Sequence, residues 1–222
     1  MTTAVQSSWV ALVGNPNSGK TAIFNLLTGL NQKVSNYPGV TVEKKTGQAR
    51  FADGSKFYIL DLPGTYSLTA ESMDERIVTE QVLNWIHGHE PPGVIVSVVD
   101  ATNLSRNLYL TTQLADLGIP VVVALNMMDM VKDEIKIDLE KLANDLGIAA
   151  IVPMSATEKW GQKELLEAVQ KSIDTAFVEN PFPIFLNDDI SKVLNPLEEI
   201  FKSQLRYNER LAKAQALRLV TR

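Results

Sequence analysis

Short apolar runs recur along the chain, and residues typical of turns close each of them. The first run covers residues 9–13 and is followed by Gly14 and Pro16. Uninterrupted runs rich in Val and Ile are typical of strands that are covered on both faces of a sheet. Five buried strands are therefore predicted, over residues 9–13, 57–60, 93–99, 120–125 and 149–152.

Segments in which apolar residues recur at helical spacing lie between these runs. The spacing predicts helices over residues 19–29, 74–87, 105–117, 138–146 and 161–175. Residues 41–51 are also β-prone, and the Asp53-Gly54 turn signal after them predicts a hairpin with the next strand. The predicted fold is α/β, with a mostly parallel six-stranded sheet that contains one antiparallel strand. A ligand site is expected at the carboxyl ends of the strands.

The last part of the chain has a different pattern. The segment Asn180-Pro-Phe-Pro183 cannot be helical, because its prolines lack the backbone N–H and clash with a helical turn. Beyond it, residues 191–219 interleave apolar and charged positions, which predicts two or three amphipathic helices and no strand. We therefore expect an α/β domain over residues 1–177 and a helical subdomain over residues 178–222.

The charge balance limits the possible partners. The 222 residues include 21 Lys and Arg against 26 Asp and Glu, so the formal net charge is −5. Because no uniform basic field is present, a dedicated nucleic-acid-binding protein is disfavoured. The absence of Cys excludes disulfides and thiolate metal sites. The apolar runs are far shorter than the roughly 20 residues that a transmembrane helix needs, and residues 1–8 do not resemble a secretory signal.

The segment from Gly14 to Thr21 reads Gly-Asn-Pro-Asn-Ser-Gly-Lys-Thr and fits the phosphate-binding pattern G-x-x-x-x-G-K-[ST]. It lies between a predicted strand and a predicted helix, which is the context that the motif requires. Backbone N–H groups would hold phosphate oxygens, Lys20 would reach the β and γ phosphates, and Thr21 would hold Mg²⁺. The alternative interpretation is a glycine-rich turn that only caps a helix.

Three further motifs follow predicted strands. In Asp61-Leu-Pro-Gly64, the carboxylate can hold Mg²⁺ through water and the Gly64 N–H can touch the γ-phosphate. In Asn126-Met-Met-Asp129, the Asp129 carboxylate accepts the N1–H and N2–H₂ of guanine, and it would repel the N1 acceptor of adenine. The Asn126 amide and the Ala156 N–H would serve N7 and O6 of the base.

Each of these motifs has an ordinary interpretation when it is taken alone. Asp61 can start a simple turn, the Asn and Asp of the third motif are common turn residues, and Ser155 before Ala156 can cap a helix. Their order along the chain, each at the end of a predicted strand, favours a guanine nucleotide site.

Taken together, the motifs resemble those of the translation-factor-related GTPases over about residues 9–175. Residues 34–43, residues 61–68 and the helical tail are similar to the cytoplasmic G-protein region of the FeoB-type ferrous iron transporters. The resemblance implies a P-loop NTPase fold, a module that uses GTP and GDP with Mg²⁺, and a tail that acts as a GDP-dissociation-inhibitor-like subdomain. It also implies a transmembrane iron-permease domain as partner, a place at the cytoplasmic face of the bacterial inner membrane and possible homo-oligomers. The acidic charge balance, and not the resemblance, argues against a nucleic-acid partner.

The resemblance further implies roles for single residues. Thr41 would join Thr21 and Asp61 on Mg²⁺ when residues 36–41 fold over the nucleotide. Asn17 would hold K⁺ beside the phosphates, where the ion supplies the positive charge that an arginine finger supplies elsewhere. The ordinary alternatives are a plain turn residue for Asn17 and the first residue of a β-prone run for Thr41.

Three positions depart from the usual pattern of such GTPases. Met127 stands where the N-K-x-D motif has Lys, so we expect modest nucleotide affinity and fast exchange. Thr65 stands where many GTPases have a Gln that orients water, so we expect slow intrinsic hydrolysis. Pro16 should stiffen the phosphate-binding loop.

The expected function is a slow, potassium-stimulated GTPase switch that regulates or drives ferrous iron uptake. The alternatives are a GTPase of ribosome assembly or tRNA modification and a nucleotide-sensing module with negligible turnover. The predicted catalytic residues are Asn17, Lys20, Thr41, Gly64 and Thr65. The residues predicted to contact the nucleotide and its ions are Gly14, Asn15, Pro16, Asn17, Ser18, Gly19, Lys20, Thr21, Ala22, Gly39, Val40, Thr41, Asp61, Leu62, Pro63, Gly64, Asn126, Met127, Asp129, Ser155 and Ala156.

Overall fold

The computed structural model describes residues 9–69, 72–131, 137–175 and 188–220. Its strands are Trp9–Gly14 (β1), Gln32–Asn36 (β2), Glu43–Arg50 (β3), Lys56–Asp61 (β4), Val94–Asp100 (β5), Val121–Asn126 (β6) and Ala150–Pro153 (β7). Its helices are Lys20–Thr28 (α1), Met73–Ile86 (α2), Leu104–Ala115 (α3), Leu139–Leu146 (α4), Gln162–Asp174 (α5), Asp188–Leu205 (α6) and Glu209–Val220 (α7). Short 3₁₀ turns cover Ala101–Asn103 and Met128–Met130.

The strands form one sheet in the order β2-β3-β4-β1-β5-β6-β7. Each strand pairs in parallel with the next along β4-β1-β5-β6-β7. Strand β3 is antiparallel to both of its neighbours, β2 and β4. The predicted α/β fold with one antiparallel strand is confirmed, but the described sheet has seven strands rather than six. Strand β2 was missed because all five of its residues are exposed, so it carries no apolar pattern.

The central strands are buried on both faces, as their continuous apolar runs predicted. One apolar cluster includes residues of α2 and α3, and a second on the opposite face includes residues of α1 and α5. Ser97 is a buried polar residue in the middle of β5, and its hydroxyl pairs with that of Thr111 of α3 at 2.8 Å. This pairing satisfies the hydrogen-bonding needs of both buried hydroxyls.

The carboxyl ends of three parallel strands, β1, β4 and β6, lie at the same end of the sheet. Strands β1, β4 and β6 end at Gly14, Asp61 and Asn126, and helix α1 begins at Lys20 after the loop that follows β1. In a parallel α/β sheet this end is where ligands bind.

Helices α6 and α7 pack on one another, with the rings of Phe201 and Tyr207 stacked at a centroid distance of 5.8 Å. Helix α7 also enters the α/β part of the chain, because Leu211 is buried in the same apolar cluster as residues of α3 and of α4. The predicted helical character of this region is confirmed within the described residues. The predicted boundary between residues 177 and 178, and the segment 180–183, lie outside them.

An ion-paired cluster fixes α7 to the end of α3. The Arg210 Nε lies 3.1 Å from Asp116 Oδ1, and an Arg218 guanidinium nitrogen lies 2.7 Å from Asp116 Oδ2. Arg210 also donates to the Leu146 carbonyl oxygen at the end of α4. Burial raises the pKa of the Asp116 carboxyl, and the two guanidinium groups oppose that shift.

Among the described helices, none is long and apolar enough to cross a membrane.

Candidate functional site

The loop between β1 and α1 has the shape of a phosphate-binding loop. Asn17 has φ 65° and Gly19 has φ 85°, and these two left-handed residues turn the chain so that α1 starts at Lys20. A Cβ on Gly19 would stand only 2.1 Å from Asn126 Nδ2. Glycine is therefore required here both by the backbone angle and by the close approach of the neighbouring loop.

A cavity of about 500 Å³ opens over this loop, at the N-terminus of α1. Its described lining residues are Asn15, Pro16, Asn17, Gly19, Lys20, Thr21, Ala22, Gly64 and Asp74. All except Asp74 were predicted from the sequence. Backbone N–H groups and the positive end of a helix dipole at such a place favour an anion.

Lys20 and Asp61 meet beside this cavity. The Lys20 ammonium donates a hydrogen bond to Asp61 Oδ1, and both side chains are largely buried. The parallel pairing of β1 with β4 brings them together, because Leu12 lies opposite Asp61 in the register. Burial, together with the negative charge of Asp61, raises the pKa of Tyr37 to about 12.

Asn126 connects the phosphate-binding loop with the loop after β7. Its Nδ2 donates to the Ser18 carbonyl oxygen at 3.0 Å, and its Oδ1 accepts the Ala156 N–H at 3.0 Å. The sequence prediction assigned Asn126 and the Ala156 N–H to the base, but in the structure they bind each other. Ser155 is buried, and its hydroxyl accepts the Glu158 N–H in the turn before α5. It does not cap a helix, because α5 begins at Gln162 with Gly161 as its cap, and its contact with the nucleotide stays a prediction.

Asp129 and Met127 flank this bridge. Asp129 is exposed on the 3₁₀ turn Met128–Met130 and has no ion pair within the part of the chain that the structure describes. Met127 adopts φ 63°, and its methyl carbon lies 3.6 Å from where a Cβ on Gly19 would stand. The thioether therefore packs toward the phosphate-binding loop in the place where the N-K-x-D motif has Lys.

Three predicted residues of the loop after β2 are absent from the described lining of the cavity, namely Gly39, Val40 and Thr41. Thr41 is exposed, and Val40 packs against the first apolar cluster. The loop folds back on itself, because the Tyr37 N–H donates to the Val42 carbonyl oxygen at 3.0 Å. The role predicted for Thr41 on Mg²⁺ stays a prediction.

Two predicted residues of the loop after β4, Leu62 and Thr65, are buried. Leu62 is fully buried in the first apolar cluster. Thr65, predicted among the catalytic residues, is also fully buried; its hydroxyl donates to the Ser67 carbonyl oxygen at 2.6 Å and its N–H to the Gly14 carbonyl oxygen. The Thr65 side chain therefore holds the loop and does not face the cavity.

Asp74 is the cavity residue that the sequence interpretation missed. It lies in the first turn of α2, where Ser72 and Glu75 form a capping box. The Ser-x-x-Glu pattern at residues 72–75 was the available signal, since it predicts a helix start shortly after the Asp61-to-Gly64 motif. A helix that starts there brings its first turn to the cavity.

Comparison with known proteins gives the same family as the resemblance found in the sequence. The family model described as "Ferrous iron transport protein B" matches residues 8–169. The chain is 46% identical over 170 residues to the Fe(2+) transporter FeoB of Salmonella typhimurium, covering 74% of this chain and 21% of that protein. It is 44% identical over 196 residues to FeoB of Legionella pneumophila, covering 84% of this chain and 24% of that one. The chain thus spans less than a quarter of the length of these curated relatives.

Solved structures of FeoB proteins have the same fold. The cytosolic domain of L. pneumophila FeoB matches with a TM-score of 0.80 and 40% identity, over 95% of this chain and 86% of that one. A point mutant of S. thermophilus NFeoB bound to GDP matches with a TM-score of 0.78 and 38% identity, over 96% and 79% of the two chains. The matched family model, the identity to these relatives and the shared P-loop GTPase fold lead to one conclusion: the chain belongs to the FeoB family.

Proposed function

We propose that this chain is a guanine nucleotide switch that hydrolyses GTP slowly and regulates or drives ferrous iron uptake through a membrane domain. The observation that carries the proposal is that the loops after β4, β6 and β7 converge on the phosphate-binding loop, which lines the cavity at the start of α1. Lys20 contacts Asp61 on one side, and Asn126 joins Ser18 to Ala156 on the other. A relative with the same fold is described as bound to GDP.

The side chains at the cavity fit a magnesium nucleotide. Thr21 lines the cavity and Asp61 lies beside Lys20, so hydroxyl and carboxylate oxygens, the ligands that Mg²⁺ prefers, are available. Thr41 would add a third oxygen when its loop folds over the nucleotide. Bound Mg²⁺ would neutralise charge on the β and γ phosphates.

Asn17 fits the proposed potassium site. It is exposed, it lines the cavity, and its left-handed backbone turns the loop beside Lys20. A carboxamide oxygen is a suitable ligand for such a cation, which would supply positive charge next to the phosphates. The buried hydroxyl of Thr65 leaves water to be positioned by backbone groups such as the Gly64 N–H, which supports a slow intrinsic rate.

Two segments are proposed to differ between the GTP and GDP states, residues 33–43 and residues 63–75, of which residues 70 and 71 lie outside the described part. Changes in their order would transmit the nucleotide state to a transmembrane permease domain at the cytoplasmic face of the inner membrane. The names of the relatives support ferrous iron as the transported ion. Membership of the FeoB family argues against the alternative of a ribosome-assembly or tRNA-modification GTPase.

The test is hydrolysis of GTP and of ATP by the full chain, in KCl and in NaCl at equal ionic strength. We expect selective hydrolysis of GTP and at least about a tenfold higher rate in KCl, equivalent to about 1.4 kcal/mol of barrier. Asn17→Ala should abolish the difference between the two salts. Asn144→Ala, a matched change on the exposed side of α4, should preserve it.

Four outcomes would contradict all or part of the proposal. Tight binding of magnesium GTP by Lys20→Ala would show that the predicted phosphate loop does not hold the nucleotide. Equal use of ATP would remove the guanine assignment. Equal GTPase rates in both salts would remove the potassium site alone, and no product in a single-turnover assay would leave a nucleotide-sensing module.

A further inference from the structure

The face of the sheet that carries α2 is open over β2, β3 and β4. The register pairs Lys33 with Thr46 and Thr46 with Leu60, and paired residues lie on the same face of a sheet. Gln48 and Tyr58 are paired on this face too, and 57% of Tyr58 is exposed although β4 lies inside the sheet. This half of the sheet therefore has a solvent-accessible surface.

The charge on this open face is one-sided. Alternation along the strands assigns nine residues to it, two from β2, four from β3 and three from β4. Four are basic and none is acidic, in a chain whose net charge is −5. The basic residues are Lys33, Lys44, Arg50 and Lys56.

These four cations carry no ion pair with any residue that the structure describes. Lys45 provides the contrast, because it points to the opposite face of β3 and lies 3.3 Å from Glu43. Cations that gather on one face without carboxylate partners make a local positive potential, and such a potential attracts anionic partners.

A groove of about 870 Å³ runs between this face and α2. Trp9, Tyr58 and Leu60 give it an apolar floor, and the ring of Trp9 is held edge-on against the buried Trp85 at 5.8 Å. Lys44 lies on one side and Asn84 and His89 on the other. Glu90 is the one carboxylate among the described residues of the lining.

We propose that this groove binds an acidic segment of a partner protein that carries an aromatic or aliphatic side chain. The floor accepts the apolar side chain, and the basic residues of the open face pair with the carboxylates around it. The groove favours a peptide over a lipid surface, because a flat bilayer would not reach the recessed Trp9 and Leu60. Nucleic acid is disfavoured by the acidic balance of the whole chain.

The proposal is tested by NMR titration of the full chain with a blocked peptide made of glutamates, one phenylalanine and one leucine. We expect backbone amide shifts at Lys44, Thr46, Tyr58 and Asn84. The double variant Lys44→Glu, Lys56→Glu should weaken binding by about tenfold, since two rim charges are reversed. Lys141→Glu, on the exposed side of α4, should leave the affinity unchanged.

A second variant, Arg50→Glu with Lys56→Glu, lies away from the loop of residues 37–42 and separates groove binding from any effect on that loop. It should weaken peptide binding while the thermal shift on adding GDP stays the same. The peptide with alanines in place of phenylalanine and leucine should bind more weakly, and the peptide with lysines in place of glutamates should not bind.

The proposal is overturned if the glutamate peptide causes no shifts at these amides. It is also overturned if Lys141→Glu weakens binding as much as the groove variants do. Two alternative probes are used separately: vesicles that contain phosphatidylserine, and a uridine oligonucleotide. Shifts at the same residues with either of these, and none with the peptide, would assign the face to lipid or to RNA instead.

Discussion

Asp129 and Asn126 belong to one sequence motif but have different environments. Asn126 is buried and bonded to two other loops, whereas Asp129 is exposed on its 3₁₀ turn. At the scale of the residue, base selection is therefore expected to depend on Asp129, and the assembly of the site on Asn126. The motif predicted both positions, but the bonds of Asn126 join residues 18, 126 and 156 and could not be predicted from spacing alone.

Asp129→Asn tests the selection of the base. The change replaces one acceptor oxygen with a donor, so guanine loses a hydrogen bond and xanthine gains one. An unpaired polar contact costs about 1–3 kcal/mol, so GDP affinity should fall by roughly tenfold to a hundredfold while XDP affinity rises. The measurement is competition with a fluorescent nucleotide, with Asp145→Asn on the exposed side of α4 as control. Unchanged preference for GDP would contradict the role of Asp129.

Gly19→Ala tests the close approach of the two loops. Gly19 and Gly54 have nearly the same φ, 85° and 83°, but a Cβ meets Asn126 Nδ2 at 2.1 Å in the first and nothing within 4 Å in the second. Gly54→Ala should cost about 1–2 kcal/mol of unfolding free energy from backbone strain. Gly19→Ala should cost about 1–3 kcal/mol more, because it breaks the Asn126 bridge.

Urea unfolding measures both Gly variants, and nucleotide binding separates them further. Binding should be lost in Gly19→Ala and preserved in Gly54→Ala, which lies at the tip of the hairpin between β3 and β4. Equal losses of stability in the two variants would mean that backbone strain alone, and not the contact with Asn126, makes glycine necessary at position 19.

At the scale of the element, the sequence predicted the helices and strands that have a regular apolar pattern, and it missed the strand whose residues are all exposed. Five helices and five parallel strands were predicted within about two residues of the observed bounds, because each buries a regular apolar pattern. Strand β2 is held by its pairing with β3 and has no buried face, so no pattern marks it. The seat of α7 was also invisible, because it depends on residues far apart in the chain.

Arg210→Met tests how α7 is attached. The substitution keeps an unbranched apolar stem but leaves the buried Asp116 carboxylate with Arg218 alone. Removing one partner of a buried ion pair costs about 3–5 kcal/mol, so unfolding free energy should fall by about 3 kcal/mol. Lys202→Met removes a pair with Glu199 on the surface of α6 and should cost less than about 1 kcal/mol. Equal effects in urea unfolding would show that the Asp116 cluster does not fix α7.

At the scale of the whole molecule, the α/β part and the helical tail share one apolar cluster. Leu211 of α7 is buried with residues of α2, α3 and β6. The core of the α/β part therefore includes a side chain from the helical part. The predicted division into residues 1–177 and 178–222 stays a prediction, because its boundary lies outside the described residues. Composition marked where the pattern changes, but it carries no information about which surfaces later come together.

The bond between Arg210 and Asp116 joins residues 94 positions apart. During translation, Arg210 is therefore added to the chain well after Asp116. Chains grow from the N-terminus at roughly 5–20 residues per second, so about 5 to 20 seconds of synthesis separate the two residues. During that interval the sheet and its first helices can assemble, while the apolar seat of Leu211 faces solvent and Asp116 lacks its guanidinium partners. The nascent α/β part must wait for a helix that is synthesised seconds later before its own core is closed.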